Sequence, residues 1–411
     1  MTALLLVLIL CRQSSIPLSD SMERIRSYTR AIEFDYTTWT MDALKVKTDQ
    51  MILGLDGYFS TAESSQYINH YLELTRMRQD TESMLIQIYS DPEIQDPKTE
   101  SQPIRDQLDW LDQQLRFVSP VAETLLQNQI ADVAVQMDLS FLGQTIPPLL
   151  FHATPLPQSL IVSPREVIRQ DASISLQTNL SLDEIMRLEN GIADGLNVSS
   201  LVEDVGGVGT YPTMVQQSSD INWLCEVIAH EWIHNYLQVR PLGWNYDTSP
   251  ELRTMNETTA SLAGKEIALE VLRRHYPASL PPPESPPSDI PENISPTEEP
   301  DIPEFDFREE MHATRIQVDD LLSQGKIDEA ESFMEEQRKS FWENGYQIRK
   351  LNQAYFAFHG AYADTPGGAA GSDPVGPAVR ELRARSSNLA EFVKQISSMT
   401  SFEQLQDALN P

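Results

Sequence analysis

The chain has 411 residues, of which 40% are hydrophobic, enough apolar side chain for a buried core divided over two or three domains. Its 61 acidic and 30 basic residues give a formal net charge of −31, which repels nucleic acid and anionic surfaces, so we expect no nucleic-acid partner. The two cysteines, Cys11 and Cys225, indicate neither a disulfide framework nor a metal cluster held by cysteine.

The N-terminal segment, residues 1–18, contains an almost continuous apolar run over 2–10. Nine helical residues span about 14 Å, well short of the roughly 20 residues that cross a bilayer. We interpret the segment as a signal anchor, a truncated transmembrane helix or a short signal region; a buried helix or strand is the alternative. The first interpretation predicts a protein that is tethered to a membrane or secreted, with the rest of the chain outside the cytoplasm.

Residues 19–140 are predicted to form a helical N-terminal region. Apolar residues recur every three or four positions over three segments: 20–58, 62–90 and 103–138. Breaks are predicted at positions 60 and 61 and over 91–97, which contains two prolines. We expect a helical hairpin or bundle that spaces the following region from the membrane.

After Gly143 the composition changes to short β-forming runs between turn residues. The predicted strands are 149–151, 159–162, 172–177 and 208–215. Pro212 restricts the last of them to an edge or irregular strand. With the helices that follow, these strands make 141–276 an α+β core. The predicted fold class is therefore α+β, mostly α, with a small mixed β-sheet before two central helices and helical regions on both sides.

Residues 225–234 read CEVIAHEWIH and contain the pattern H-E-x-x-H at His230, Glu231 and His234. Flanking apolar residues recur at helical spacing, which predicts a helix with both histidines one turn apart on the same face. Two imidazoles in this arrangement can hold one zinc ion, and Glu231 can reach a water on the open side of the metal.

A catalytic zinc with two histidine ligands commonly takes a carboxylate as its third protein ligand. Downstream, Ser249 and Pro250 predict the start of a helix that continues to about Arg274 and contains NETTA at 256–260. Glu257 lies within that pattern. Glu251 is the rival carboxylate, although it falls in the first turn, where an acidic side chain often complements the helix dipole.

H-E-x-x-H followed some twenty residues later by N-E-x-x-A resembles the gluzincin class of zinc metallopeptidases, of the thermolysin-like clan. The resemblance implies that His230, His234 and Glu257 bind Zn²⁺, that Glu231 is the general base, and that the substrate is a peptide or protein. Many gluzincins carry an acid one turn after the glutamate ligand, where this chain has Ser261. We therefore expect the groups around the ligands to be built differently.

The run GGVGTYPTMV at 206–215 directly precedes the zinc helix. The resemblance implies an edge strand here that binds an extended peptide through main-chain hydrogen bonds, with Gly209, Thr210 and Tyr211 as substrate-binding residues. The alternative is a glycine-rich turn that leads into a core strand.

Residues 277–305 form an acidic insertion that contains ten of the 27 prolines. Such a segment cannot bury enough apolar area to offset its ordering entropy, so we expect it to be disordered or polyproline-like. Residues 306–411 are predicted to be helical again, and the resemblance implies that they close the cleft. The predicted helices there are 311–322, 327–363 and two that begin at positions 378 and 401, after a glycine- and proline-rich loop over 365–377.

Three aromatic side chains of the predicted helix 327–363 share one face, because Tyr355, His359 and Tyr362 fall at i, i+4 and i+7. The resemblance implies that a His, Tyr or Arg of this region donates a hydrogen bond to the developing oxyanion. His359 is the candidate, with Tyr355 and Tyr362 as alternates and Arg380 next. Aromatic packing is the competing interpretation.

The sequence therefore predicts a zinc-dependent peptidase. An endopeptidase is slightly favoured over an aminopeptidase, because no G-x-M-E-N type exopeptidase stretch precedes the zinc helix. The alternative is a non-catalytic, membrane-tethered interaction module that retains a zinc site and binds a partner through its helices and its acidic, proline-rich arm.

Overall fold

The computed structural model describes residues 20–90, 96–178, 180–281, 305–346, 348–360 and 374–410. The apolar segment 1–18 and most of the proline-rich insertion lie outside these residues, so both predictions stay untested. Within the described residues the protein is mostly helical, with short strands between helical regions, which confirms the predicted α+β class. No helix in this part of the chain combines the length and the apolar character needed to cross a membrane.

The N-terminal region is helical, as predicted, and α3 and α5 pack against each other. Its helices are α1 (Ser21–Thr29), α2 (Tyr36–Leu53), α3 (Thr61–Ser90), α4 (Pro97–Glu100) and α5 (Gln102–Gln136). The prediction of one helical segment over 20–58 is wrong between α1 and α2. There the chain pairs with a strand, because Glu33 bridges Leu176 and the Phe34 N–H donates to the Ser175 carbonyl at 2.9 Å.

Glu123 forms a buried ion pair within this region and also contacts the first strand. Lys47 Nζ lies 3.0 Å from Glu123 Oε2, and both side chains are 3% exposed. Glu123 also accepts from the Ala153 N–H at 3.0 Å, and His152 Nδ1 lies 3.1 Å from its Oε1. Burial by itself would raise the pKa of Glu123, but Lys47 and then His152 outweigh it and lower that pKa to about 2. The charges therefore compensate each other inside the protein.

The strands form two three-stranded sheets. The first contains β1 (Phe151–Ala153), β5 (Gly207–Val208) and β6 (Thr213–Val215) in the order β1-β6-β5, with β1 parallel and β5 antiparallel to β6. The second contains β2 (Gln158–Pro164), β3 (Ala172–Leu176) and β4 (Val198–Glu203), antiparallel in the order β3-β2-β4. The predicted strand 208–215 is thus divided by residues 209–212, and neither β4 nor helix α6 (Leu182–Leu196) was predicted.

Two central helices follow the sheets: α7 (Ile221–Gln238) and, after the short α8 (Pro241–Trp244), α9 (Pro250–His275). The predicted start of α9 is confirmed, because the Ser249 side chain caps it by accepting from the Leu252 N–H at 3.3 Å. α7 and α9 approach closely at Gly264. A Cβ at position 264 would lie 3.0 Å from two backbone atoms of α7, the carbonyl oxygen of Glu226 and the amide nitrogen of His230.

The C-terminal region is helical, but the predicted helix 327–363 is wrong. The helices are α10 (Phe307–Ser323), α11 (Ile327–Glu343), α12 (Gln353–His359), α13 (Val375–Arg385), α14 (Leu389–Ser397) and α15 (Phe402–Leu409). The chain leaves the helical conformation after α11, where Gly345 adopts a positive φ angle of 90° that ends the helix. It re-enters a helix at α12, whose N-cap Asn352 accepts from the Tyr355 N–H at 3.0 Å.

One cluster of buried apolar side chains joins the N-terminal, central and C-terminal regions. It contains residues of α3, α5, β1, β6, α7, α9, α13, α14 and α15. Cys225 lies within it and is fully buried. α7 and α9 are therefore held from several sides by this core.

Candidate metal centre

Three potential ligand atoms from α7 and α9 converge at one point. The Nε2 atoms of His230 and His234 are 3.0 Å apart, and Glu257 Oε2 lies 3.6 Å and 3.4 Å from them, respectively. Ligand atoms about 2.0–2.1 Å from a tetrahedral zinc ion would be separated by about 3.3–3.4 Å. The observed separations therefore suit one small cation held by all three groups.

The surroundings of Glu257 point to the same conclusion. The Glu257 side chain is 5% exposed, and its Oε2 atom is buried without a hydrogen-bond partner. An unsatisfied buried carboxylate oxygen is costly, and a bound cation would remove that cost. Two imidazole nitrogens and one carboxylate oxygen are also a common ligand set of catalytic zinc. The residues present fit a zinc ion.

The charges in this cluster favour a cation. Burial disfavours the protonated form of His234, but the Glu257 carboxylate outweighs it and raises the pKa of His234 to about 9. Burial likewise disfavours ionised Glu257, yet His234 and His230 hold its pKa well below the ordinary value. The site thus stabilises positive charge beside Glu257, which either a proton or a metal ion can supply.

A further group of contacts orients the candidate ligands. Asn256 Oδ1 accepts from Nδ1 of His234 at 2.8 Å, which leaves Nε2 of that ring directed at the site. Ser261 Oγ lies 3.5 Å from Nδ1 of His230, at the position where an acid was expected from the resemblance. The Tyr246 hydroxyl donates to Oε1 of Glu257. Asn256 is part of the motif that the sequence revealed, whereas nothing in the sequence distinguished Tyr246.

Glu231 lies beside the three candidate ligands in a cavity of about 500 Å³. Its side chain belongs to α7, and the residue is 8% exposed. Burial raises the pKa of Glu231, although His230 and His234 oppose the shift. A carboxylate in this environment is better suited to accept a proton near neutral pH than an exposed one would be.

Comparison of the chain with models of known families, with curated proteins and with solved structures gives no match. H-E-x-x-H by itself has three defined positions and arises by chance in unrelated helices. The evidence for a function is therefore the site itself, in which Glu257 of a second helix meets both histidines of the pattern.

Two glycines of the predicted substrate-binding run lie directly on the site. A Cβ at Gly207 would come within 2.7 Å of both Cγ and Oε1 of Glu231, and a Cβ at Gly209 within 3.1 Å of Cβ of His234. A larger residue at position 207 would displace the Glu231 side chain, whereas at position 209 the His234 side chain would have to move only slightly. Close approach therefore favours glycine most strongly at position 207.

The predicted substrate-binding residues Gly209, Thr210 and Tyr211 lie in the turn between β5 and β6. Gly209 and Thr210 line the cavity. Their carbonyl oxygens accept from side chains of α7, from Gln238 at 3.2 Å and from Asn235 at 3.0 Å. The turn follows β5, an edge strand whose two residues line the cavity, and it leads into the buried strand β6. Peptide binding by this turn stays a prediction.

Of the candidate oxyanion residues, Tyr355 and His359 lie on α12, and Arg380 lies on α13. The rings of Tyr355 and His359 pack against each other at a tilt of 43°, with centroids 4.3 Å apart, and burial lowers the pKa of His359 to about 4. On this helix it is Phe358 that lines the cavity. Tyr362 lies outside the described residues. The contact between Tyr355 and His359 is the aromatic packing that competed with a catalytic role.

The second sheet also contributes to the cavity. Ser173 and Ser175 of β3 line it, while Ala172, Ile174 and Leu176 pack into a separate apolar cluster. The alternation along β3 is visible in the sequence as small polar residues between apolar ones. That these serines face the metal centre depends on how the two sheets are arranged.

Proposed function

We propose that the protein is a zinc-dependent peptidase that hydrolyses peptide bonds. The observation that carries the proposal is the convergence of His230, His234 and Glu257 beside the buried carboxylate of Glu231, in a cavity open to solvent. Three ligands, an adjacent base and room for a substrate are the components of zinc hydrolases.

The metal would be held by Nε2 of His230, Nε2 of His234 and Oε2 of Glu257. A zinc ion bound there would lower the pKa of its water towards neutrality and polarise the scissile carbonyl. Glu231 takes the proton of the attacking water and then passes it to the leaving amine. Asn256 keeps His234 in the tautomer that presents Nε2, through the 2.8 Å hydrogen bond to its Nδ1.

The test uses the purified, full-length protein. We expect about one zinc ion per chain by plasma emission, and hydrolysis of a mixed peptide library that a chelator abolishes and added zinc restores. Bound zinc without hydrolysis would favour the non-catalytic interaction module. Absence of stoichiometric zinc would overturn the proposal.

Replacing Gly207 by alanine should lower turnover while zinc content stays unchanged. The added Cβ would meet the Glu231 side chain at 2.7 Å, so the carboxylate must move away from its position beside the ligands. Because a misplacement of about 1 Å can cost about 10²-fold in rate, we expect kcat to fall by about tenfold or more. Steady-state kinetics and metal analysis of the variant measure both quantities.

Gly206→Ala is the matched control for this change. A Cβ at Gly206 would come within 3.1 Å of the Trp223 ring and contacts no residue of the metal centre among its nearest neighbours. It should therefore leave kcat close to that of the wild type. Equal losses in both variants would show that an added Cβ at either position disturbs the protein in a general way, which would remove the argument about Glu231.

A further inference from the structure

The two carboxylate oxygens of Glu257 have different partners. Oε2 faces the histidine nitrogens at 3.4 Å and 3.6 Å. Oε1 accepts a hydrogen bond from the hydroxyl of Tyr246. Tyr246 lies between α8 and α9 and lines the cavity, with its ring edge-on to His234 at a centroid distance of 6.3 Å.

Arg253 determines which way the Tyr246 hydroxyl points. Arg253 Nε donates to the Tyr246 hydroxyl oxygen at 3.3 Å. A guanidinium has only donors, so the phenol must act as the acceptor in this contact. Its single hydrogen is then directed at Glu257 Oε1. The chain of hydrogen bonds therefore runs in one direction, from Arg253 through Tyr246 to Glu257.

The same arginine connects the site with α12. Nη1 of Arg253 donates to the carbonyl oxygen of Ala357 at 2.9 Å, and the next residue, Phe358, lines the cavity. The Arg253 guanidinium thus contacts both Tyr246, which is the hydrogen-bond partner of Glu257, and α12, which forms part of the cavity wall. Its planar fork suits two such acceptors at defined angles, which a lysine ammonium could not reproduce.

We propose that Tyr246 is a positioning residue that keeps Glu257 monodentate, and that Arg253 sets the direction of its hydrogen bond. The hydrogen bond from the phenol competes with a metal ion for Oε1, so it favours coordination through Oε2 alone and leaves one position for water. An open position distinguishes catalytic from structural zinc sites. The proposal rests on the function proposed above and adds the residues that preserve the open position.

The decisive variant is Tyr246→Phe, which removes one hydroxyl and leaves the ring against His234. We expect zinc affinity, measured by competition with a chelator, to fall by roughly 10–100-fold, the usual cost of losing an outer-shell partner of a ligand. In the cobalt-substituted protein we expect the visible spectrum to change, because the freed Oε1 can enter the coordination sphere and raise the coordination number.

Tyr36→Phe is the matched control. Its hydroxyl donates to Ser175 Oγ at 2.6 Å, beside the same cavity, and has no contact with Glu257. Zinc affinity and the cobalt spectrum should be those of the wild type. Arg253→Lys, which retains the phenol, should change both readouts in the same direction as Tyr246→Phe. Thermal melting of the metal-free protein shows whether Tyr246→Phe folds. If it does not fold, Arg253→Lys provides the test.

A wild-type cobalt spectrum in Tyr246→Phe would overturn the proposal, whatever its zinc affinity and activity. A wild-type protein that binds zinc but cleaves no peptide would instead overturn the proposed function. Zinc affinity and the cobalt spectrum would still report on Tyr246 in that case. The two failures are therefore distinguishable.

Discussion

Replacing Glu231 by glutamine is expected to lower peptide turnover by about 10²–10⁴-fold, the usual contribution of general acid–base catalysis, while zinc content stays at the wild-type level. The amide has nearly the same size as the carboxylate but cannot take a proton from water. Glu231 is also separate from the converging group formed by His230, His234 and Glu257. Steady-state kinetics with a peptide substrate and plasma emission on the same samples give both quantities.

Glu226→Gln makes the same chemical change five residues earlier on α7, at a position that is not among the residues lining the cavity. It should retain both turnover and zinc. If Glu231→Gln kept wild-type turnover, the base would have to be another group. If it lost zinc, Glu231 would be acting as a ligand, and the assignment of roles in the centre would be wrong.

Replacing Glu257 by alanine should remove most of the bound zinc, and with it hydrolysis. Glu257 would be one of only three protein ligands, so zinc affinity should fall by more than the roughly 10–100-fold that follows loss of an outer-shell partner. His230→Ala and His234→Ala should behave in the same way. Chelator competition measures the affinity, and thermal melting of the metal-free variants separates loss of metal from loss of fold.

The matched control is Glu251→Ala, because Glu251 is the rival carboxylate on the same helix. Glu251 is exposed in the first turn of α9, where it complements the helix dipole, so its removal should leave zinc affinity unchanged. Retention of zinc in Glu257→Ala and its loss in Glu251→Ala would reverse the assignment of the third ligand.

Local signals in the sequence were sufficient to predict the elements that carry the candidate ligands. Helical spacing places His230 and His234 one turn apart, and the observed α7 presents them in that way. Ser249 and Pro250 predict where α9 begins, because an N-cap hydroxyl and a proline at the first helical position act within one turn. Such signals depend on neighbours along the chain, so they can be read without knowing the tertiary structure.

Interruptions of helices and strands were predicted less well, because contacts from distant parts of the chain decide them. Residues between α1 and α2 leave the helix to pair with β3. The unpredicted strand β4 contains Ser199 and Ser200, which are buried by helices on opposite faces. Ser199 Oγ accepts from the Ala354 N–H of α12 at 3.2 Å, and Ser200 Oγ donates to the Glu189 carbonyl of α6 at 2.8 Å. Two serines in a row do not indicate a buried strand, so only the packed structure explains this one.

The sequence by itself determined the α+β class, the helices α7 and α9, and which side chains on them could bind a metal, since periodicity and capping are local properties. The tertiary structure decided that Glu257 meets the two histidines, through the close approach of the helices at Gly264. It also decided that Tyr246 and Arg253 flank Glu257, because hydrogen bonds between a loop and a helix face follow from packing and leave no periodic pattern in the sequence.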